Sequence, residues 1–311
     1  MVSRTTISAV INVRNEADKL ETCLKSISGL ADEIIVVDMG STDQSRQIAL
    51  KYHAKVYHHQ PLEFVEPARN YGIRQSHCHL VLLLDPDEFF GKTLKTELKL
   101  ITQRSDIDYV KIPRKNIVFS KWIRHTGFWP DYLVRFFRPK VVIWQDKIHS
   151  QPITTWRGLT LLDSEKLAIR HRHYSSISDY LIRSIRYSSI QASELEQAGY
   201  KLKISDFILK PIQEFNSRFF ANEGYKDGLH GLIISILQAF AESFIYLQLW
   251  EKRGFKEKTL SKESFVSASQ EATFEFHHWF TRYFIHEYSN NIFKNFMIKV
   301  RYFLDRLTKN F

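Results

Sequence analysis

The stretch HLVLLLDPDE at residues 79–88 decides the fold class. Its apolar part, residues 79–84, is continuous rather than alternating and is bounded by polar residues, which is typical of a strand buried on both faces. Such strands belong to parallel sheets that are covered by helices. The acidic part follows directly at the carboxyl end of this strand, where open parallel sheets bind their ligands.

Upstream of this strand the sequence alternates between strand and helix patterns. Ile7–Val13 is a short apolar run, and the next stretch places Leu20, Leu24 and Ile27 on one helical face. The predicted elements are strand 7–13, helix 17–28, strand 33–38, a helix capped by Ser41 or Thr42 and running to about His53, strand 54–58, helix 66–76 and strand 79–84. This order predicts an α/β fold with a mostly parallel central sheet.

Composition divides the 311 residues into two regions. Seven of the eight prolines lie at or before Pro152, whereas 16 of the 23 phenylalanines lie from Phe207 onward. We therefore predict an α/β catalytic domain over residues 1–205 and a helical C-terminal region over residues 206–311. Only two cysteines and no visible secretion signal predict a reducing, cytoplasmic compartment.

The net charge of +10 is concentrated in one segment. Residues 111–186 carry 15 basic and 5 acidic side chains, which gives 15 − 5 = +10 for this segment alone. Such a block attracts phosphate-bearing ligands or an anionic membrane surface, and a merely soluble basic surface is the alternative. No recognised nucleic-acid-binding motif is present, so we predict no nucleic-acid partner.

Polar and acidic residues follow three of the predicted strands. They are Asn15 and Glu16 after the first strand, Asp38 after the second, and Asp85, Asp87 and Glu88 after the fourth. Carboxylates gathered at one sheet edge repel each other unless a hydrogen-bond donor or a hard cation compensates them, and Asp oxygens suit Mg²⁺ or Mn²⁺. Since Mg²⁺ is usually held by one or two carboxylates plus substrate phosphates, the basic segment predicts a diphosphate site. Helix capping is the alternative role for the acidic loop residues.

Four blocks of sequence resemble the family 2 glycosyltransferases with a GT-A (Rossmann-like) fold. They are NVRNE at 12–16, VVDMGSTD at 36–43, PARN at 67–70 and LLDPDE at 83–88. Further blocks are similar to bacterial lipopolysaccharide-core β-glucosyltransferases: GFWPD at 127–131, RFF at 135–137, IH at 148–149, HY at 173–174, GYKDG at 224–228 and LWE at 249–251. The resemblance spans about residues 7–254.

The resemblance implies roles for individual residues. Asp38 would bind the base of the nucleotide, Asp85 would lie near the ribose and the metal, and Asp87 would ligate the metal on the donor diphosphate. Arg69 and Arg135 would contact diphosphate oxygens, with an ion pair as the alternative for either arginine. The remaining substrate-binding residues would be Asn15, Glu16, Asn70 and Trp129.

An inverting transfer also needs a general base, for which Asp131 is the first candidate and His149 the second. We expect the neighbours Trp129, Pro130 and Tyr132 to raise the pKa of Asp131 and to form a wall for sugar stacking. Asp131 as a turn residue and His149 as a structural histidine are the alternatives. His171 and His173 lie two residues apart on a predicted strand. They could form a two-histidine metal site, or they could donate hydrogen bonds to a diphosphate or to protein groups.

The second half bears on where the acceptor is found. Leu229–Trp250 is apolar at helical spacing, but Glu242 near its middle argues for packing on protein and against a bilayer span. Residues 293–311 combine a Phe/Leu stripe with five basic residues, which predicts an interfacial helix on anionic lipid. A core helix or a homodimer contact is the alternative.

These features together predict an inverting, metal-dependent hexosyltransferase. It would move a sugar from a nucleoside-diphosphate donor, UDP-sugar by preference, to a glycan or lipid-linked acceptor in cell-envelope polysaccharide or lipopolysaccharide synthesis. One alternative is a nucleotidyltransferase, although Arg14-Asn15-Glu16 lacks the glycine-rich phosphate loop of that class. The other alternative is a degenerate nucleotide-sugar-binding module, because Ser150 stands where related proteins often have an acidic residue.

Overall fold

The computed structural model describes residues 4–62, 65–145, 152–257 and 259–287. The chain divides into two compact units. Unit 1 contains the residues up to Trp122 together with Phe128–Ser175, and unit 2 contains Ile123–Gly127 and the residues from Ser176 onward.

Unit 1 contains twelve strands and four helices in its described part. In chain order they are β1 (Ile7–Val13), α1 (Ala17–Ile27), β2 (Glu33–Asp38), α2 (Ser45–Lys51), β3 (Lys55–His58), α3 (Glu66–Arg74), β4 (Leu80–Leu84), β5 (Glu88–Phe89), α4 (Lys92–Ile101), β6 (Tyr109–Val118), β7 (Lys121–Trp122), β8 (Asp131–Phe137), β9 (Val142–Ile143), β10 (Ile153–Thr154), β11 (Gly158–Thr160) and β12 (Ile169–Tyr174).

The main sheet has the strand order β3-β2-β1-β4-β8-β6-β12-β5. Strands β1 to β4 pair in parallel, as the sequence predicts. Strand β8 then inserts antiparallel between β4 and β6, and β12 runs parallel to β6. The predicted α/β class is confirmed, with a sheet that is parallel in its first half and mixed in its second.

Strand β4 is buried along its whole length because side chains pack against both faces of the sheet. Leu80, Leu82 and Leu84 join a core cluster with α1 and α4, whereas Val81 and Leu83 join a second cluster with α3. This division explains why residues 80–84 read as a continuous apolar run rather than an alternating one.

The predicted second helix begins later than expected. Helix α2 starts at Ser45, because the preceding loop is tied to its neighbours through side chains. Asp38 Oδ1 accepts from the Ser41 backbone N–H at 2.9 Å, and Asn15 Oδ1 accepts from that of Thr42 at 2.7 Å. The prediction that Ser41 or Thr42 caps this helix is therefore wrong.

Unit 2 is helical and consists mainly of α5 (Ile177–Gln197), α6 (Ile204–Asn216), α7 (Leu229–Lys252) and α8 (Lys262–Glu287). The predicted domain boundary near residue 205 differs from this division, which falls after Ser175. The predicted boundary depends on the position at which phenylalanine becomes frequent. Helix α5 lies before that position because it contains no phenylalanine. Residues 293–311, for which we predict an interfacial helix, lie outside the described residues.

Helix α7 packs against α5 and α6 within unit 2. By length and composition it is nevertheless long and apolar enough to cross a membrane, and 28% of its most apolar window is buried. Glu242, on which the argument against a bilayer span rests, accepts from the Tyr246 hydroxyl at 3.0 Å. Burial raises the pKa of Glu242.

The GYKDG block at 224–228 also has a structural role in unit 2. Asp227 is buried and accepts from the backbone N–H groups of Arg124 at 3.2 Å and His125 at 2.8 Å. The next residue, Thr126, receives a 3.0 Å hydrogen bond from Arg218 to its carbonyl oxygen. The carboxylate therefore ties the short segment Ile123–Gly127 to the helical unit.

Close packing of α3 on the sheet yields a stability prediction. A Cβ atom on Gly72 would lie 2.7 Å from Val10 Cγ1 and 2.9 Å from Val37 Cγ2, both fully buried. Gly72→Ala gains about 1 kcal/mol of helix propensity, but overpacking costs about 1–3 kcal/mol, so we expect a net loss of stability. Thermal unfolding measures this loss. Gly91→Ser, where a Cβ meets open space at the start of α4, should leave the midpoint unchanged; an equal midpoint for both variants would contradict the packing.

Candidate active site at the carboxyl ends of the strands

The ends of β1 and β2 form one hydrogen-bonded loop pair. The Asn15 backbone N–H donates to Ser41 Oγ at 3.1 Å, and its side chain accepts from the backbone of Thr42. Asn15 has a positive φ of 56°, which asparagine tolerates better than most residues. Asp38 is buried beside this loop, and Glu16 pairs with Lys19 at 2.7 Å. The structure thus brings Asn15 and Asp38 together, as predicted.

The end of β4 is held by a buried network of ion pairs. Arg69 Nη2 lies 3.0 Å from Asp85 Oδ1, and Arg135 Nη2 donates to Asp85 Oδ2. The same Arg135 nitrogen lies 2.8 Å from Glu88 Oε1. Glu88 Oε2 in turn accepts from the Asp85 backbone N–H at 3.0 Å, which closes the acidic turn on itself.

This network changes the predicted roles of Arg69, Arg135 and Asp85. Both guanidinium groups pair with carboxylates of the protein, and Arg135 is only 2% exposed, so the structure contains the ion pairs of the alternative role. Their contacts with a diphosphate stay a prediction. Both Asp85 oxygens accept from arginine. Burial opposes the ionisation of Asp85, but the charges of Arg135 and Arg69 outweigh it and hold its pKa well below the usual range. Arginines therefore compensate Asp85 and Glu88 without a cation.

In the part of the chain that the structure describes, the negative charge of Asp87 is compensated by a histidine and not by an arginine. This aspartate is buried, and among the described residues it forms no ion pair with Arg or Lys. Its Oδ2 lies 3.4 Å from His171 Nε2 on β12. Burial opposes the ionisation of Asp87, but the charge of His171 and its hydrogen bond lower the pKa of the carboxyl overall.

The side-chain amide of Asn116 connects His171 to Asp131, the candidate base, through hydrogen bonds. His171 Nδ1 lies 2.7 Å from Asn116 Oδ1, and Asn116 Nδ2 donates to Asp131 Oδ2 at 3.0 Å. Arg114 completes the cluster, because its Nε donates to the same Asp131 oxygen at 2.8 Å and its Nη1 lies 3.2 Å from Glu88 Oε1. The predicted metal ligand and the predicted base thus belong to one connected cluster.

The expected pKa of Asp131 is wrong in direction. Burial acts to raise it, but the charge of Arg114 and the hydrogen bonds from Asn116 and Arg114 hold the pKa of Asp131 below its ordinary value. All three donated bonds end on Oδ2, and Oδ1 accepts none from the residues that the structure describes. One oxygen is therefore fixed, and the other remains available to a substrate hydroxyl.

The other three residues predicted for the site differ in where they lie and in what they contact. Asn70 is engaged at both ends of its amide by the backbone of Trp144, at 2.8 and 3.1 Å, which is a structural role. Trp129 is half-buried and packs edge-to-face on Trp122 with ring centroids 5.1 Å apart. His149 lies outside the described residues.

Arg114 and Asn116 are not among the site residues predicted from the sequence, and the sequence indicates more than one role for His171. Arg114 and Asn116 are two residues apart on β6, so they lie on the same face of the sheet. Polar residues in that alternation within a largely buried strand were the available signal. Their partners lie 15 to 55 positions away in the chain, which the local pattern does not indicate.

The donor set at Asp87 and His171 fits part of the coordination shell of a divalent ion. Ligand atoms about 2.1 Å from one ion lie roughly 3 Å apart at a right angle, close to the 3.4 Å observed. Among the described residues no three His, Cys, Asp or Glu side chains converge on one point. The rest of the shell would therefore come from substrate phosphates and water, as is usual for Mg²⁺ at nucleotides.

Comparison with known proteins identifies the class of enzyme. Residues 8–177, more than half of the chain, match the sequence model of the family described as Glycosyl transferase family 2. The protein belongs to this family and is a glycosyltransferase, which confirms the resemblance and the predicted GT-A class of fold. The match covers β1 to β12, where the candidate site lies.

Several individual proteins are similar over most of the chain. An uncharacterized glycosyltransferase of Rickettsia felis is 27% identical over 286 residues, which cover 86% of this chain and 95% of the relative. The lipopolysaccharide core biosynthesis glycosyltransferase LpsC of Rhizobium meliloti is 21% identical, covering 82% and 96%. The structure of mannosyltransferase PcManGT from Pyrobaculum calidifontis, in complex with GDP-Man and Mn²⁺, has a TM-score of 0.42 at 14% identity, covering 88% and 86%.

The buried ion pairs predict that Arg135 is essential for the fold. Arg135→Met removes the positive charge between Asp85 and Glu88, and breaking a buried pair typically costs about 3–5 kcal/mol. We expect a large fall in the thermal midpoint in the absence of any substrate. Arg138→Met is the control, since this more exposed arginine pairs with Asp108 and should cost about 1 kcal/mol or less. If Arg135→Met is as stable as the wild type but binds the donor more weakly, the result would instead support the predicted contact between Arg135 and a diphosphate oxygen.

Proposed function

We propose that the protein is an inverting glycosyltransferase that uses a nucleoside-diphosphate sugar and a divalent cation. The observation that supports this most is the cluster that joins Asp87 and His171 to Asp131 through Asn116. Such a transfer needs a charge-compensated diphosphate leaving group and a base for the acceptor hydroxyl. The cluster offers groups of both kinds in unit 1.

On the donor side, Asp87 Oδ2 and His171 Nε2 would hold the cation together with the diphosphate. The cation would stabilise the charge that develops on the leaving group. A nitrogen ligand suits a transition-metal ion better than Mg²⁺, so the donor set favours Mn²⁺. Asp38 and Asn15, at the ends of β2 and β1, are the proposed contacts of the nucleoside, with uracil as the proposed base.

On the acceptor side, Asp131 would accept the proton of the attacking hydroxyl through Oδ1. Arg114 and Asn116 keep the carboxylate ionised and orient it through Oδ2. Trp129, two residues before Asp131 and packed on Trp122, offers a half-exposed aromatic ring for an acceptor sugar. The proposed acceptor is a glycan or lipid-linked saccharide of the bacterial envelope, in line with the name of the LpsC relative.

Product analysis with a panel of nucleotide sugars tests this function. Steady release of nucleoside diphosphate in the presence of Mn²⁺ supports the glycosyltransferase. Release of pyrophosphate would indicate nucleotidyl transfer instead, and nucleotide-sugar binding without turnover would indicate a degenerate binding module.

Asp87 carries the metal-dependent part of the proposal. Asp87→Asn removes the negative charge while keeping the size of the side chain, so we expect Mn²⁺-dependent donor affinity to fall by at least about tenfold and transfer to be lost. Calorimetric titration of donor with and without Mn²⁺ measures the effect. The exposed Asp163→Asn is the matched control. Equal Mn²⁺-dependent affinity of Asp87→Asn and wild type would reject this role.

Asp131 carries the base part of the proposal. Asp131→Asn keeps the size of the side chain and one of its oxygens but removes the basic carboxylate, so we expect kcat to fall about 10²-fold or more with donor affinity unchanged. Steady-state kinetics with saturating donor measures this. Asp106→Asn, an exposed residue paired with Arg104, should retain wild-type kcat. A wild-type kcat for Asp131→Asn would transfer the role to His149 or Asp146.

We also propose that the protein works in the cytoplasm at the cytoplasmic face of the membrane, reached through residues 293–311. Apolar burial and attraction between basic residues and anionic lipid would act together there. Deleting 293–311 should abolish co-sedimentation with anionic liposomes at low salt and leave donor hydrolysis intact. Equal binding of the truncated and full-length proteins would favour the homodimer or core role of this segment.

A further inference from the structure

Asn116 is a buried amide whose two N–H groups and carbonyl oxygen are all hydrogen-bonded. It is 1% exposed and lies on β6, between β8 and β12. Its Nδ2 donates to Asp131 Oδ2 and to the Phe128 carbonyl oxygen, both at 3.0 Å, and its Oδ1 faces His171 Nδ1 at 2.7 Å. The paired register places Asn116 directly opposite His171 on β12.

These contacts fix the orientation of the amide. Turning it over would bring its oxygen against a carboxylate oxygen and a carbonyl oxygen, both of which are acceptors only. The oxygen must therefore face His171, and a hydrogen bond at 2.7 Å then requires a proton on His171 Nδ1. The other nitrogen, Nε2, faces Asp87 at 3.4 Å. In the charged ring Nε2 donates to this carboxylate, and in the neutral ring with its proton on Nδ1 it presents the lone pair that a cation requires.

We propose that Asn116 is a positioning residue that selects the metal-binding tautomer of His171 and, through the same amide, orients the Asp131 carboxylate. This inference rests on the proposed function, since it assigns Asn116 a role toward the cation at Asp87 and His171 and toward the base. Outer partners of a metal-bound histidine commonly act in this way, by holding the ring nitrogen that does not face the metal. Asn116 differs in serving two active groups at once.

Two substitutions separate the two proposed roles of the Asn116 amide, which are to accept from His171 Nδ1 and to donate to Asp131 Oδ2. Asn116→Ala removes both, so we expect the Kd for Mn²⁺ in the presence of UDP to rise about 10–100-fold and kcat to fall. Asn116→Asp keeps an oxygen that accepts from His171 Nδ1 but loses the donor to Asp131, so Mn²⁺ affinity should return to within about threefold of wild type while kcat stays low. Asn12→Ala is the matched control, because Asn12 is a similarly buried amide in the same sheet whose side chain has no hydrogen-bond partner among the described residues.

Electron paramagnetic resonance of free Mn²⁺ gives the Kd, and steady-state kinetics gives kcat. Two-bond ¹H–¹⁵N correlation spectra report the tautomer directly, with His171 assigned by comparison with His171→Gln. We expect His171 of the wild type to carry its proton on Nδ1 and to lose that preference in Asn116→Ala. The spectrum of the wild type tests the tautomer even where a variant at Asn116 fails to fold.

The outcomes distinguish the inference from the proposed function. A wild-type spectrum with no proton on Nδ1, or wild-type Mn²⁺ affinity in Asn116→Ala, would overturn the role of Asn116 and leave the metal site standing. Absence of Mn²⁺ binding by the wild type with UDP would instead reject the metal site itself, and the role of Asn116 with it. Loss of Mn²⁺ affinity in Asn116→Asp as large as in Asn116→Ala would also overturn the inference.

Discussion

The placement of Arg135 between Asp85 and Glu88 is the interaction on which the candidate site depends. Four carboxylates converge after β4 and at the start of β8, and burying them without compensation would cost several kcal/mol for each charge. Arg135 supplies that compensation from β8, the antiparallel strand that pairs with β4. The acidic turn and the inserted strand therefore stabilise each other.

This arrangement sorts the charged residues into two groups. Arg69, Arg114 and Arg135 neutralise Asp85, Glu88 and one oxygen of Asp131, which fixes the backbone and side chains at the sheet edge. Within the part of the chain that the structure describes, Asp87 forms an ion pair only with His171. Asp87 and the second oxygen of Asp131 are therefore the groups that we propose to bind ligands. The acidic motif thus contains an aspartate paired with two arginines and, two residues later, the proposed metal ligand.

Strand register provides the second constraint. Strand β6 lies between β8 and β12, and this places Arg114 opposite Asp131 and Asn116 opposite His171. Since alternate residues of a strand face the same side, Arg114 and Asn116 meet their partners on one face of the sheet. The hydrogen-bond chain from Asp87 to Asp131 is a consequence of three adjacent strands in this register.

The sequence by itself determined the parallel β1–β4 half, the location of the ligand edge and the family, because these depend on local periodicity and on short motifs that follow each strand. It also predicts Asp87 as a metal ligand and Asp131 as the base, and these two roles stay predictions. Only the tertiary structure decided that Arg69 and Arg135 pair with Asp85, that Asn70 binds the Trp144 backbone, and that the pKa of Asp131 is lowered rather than raised. These properties arise from charged and amide side chains that lie far apart in the chain and meet through strand pairing. The sequence alone shows only the neighbours of Asp131 along the chain, which are mostly apolar and therefore suggest a raised pKa.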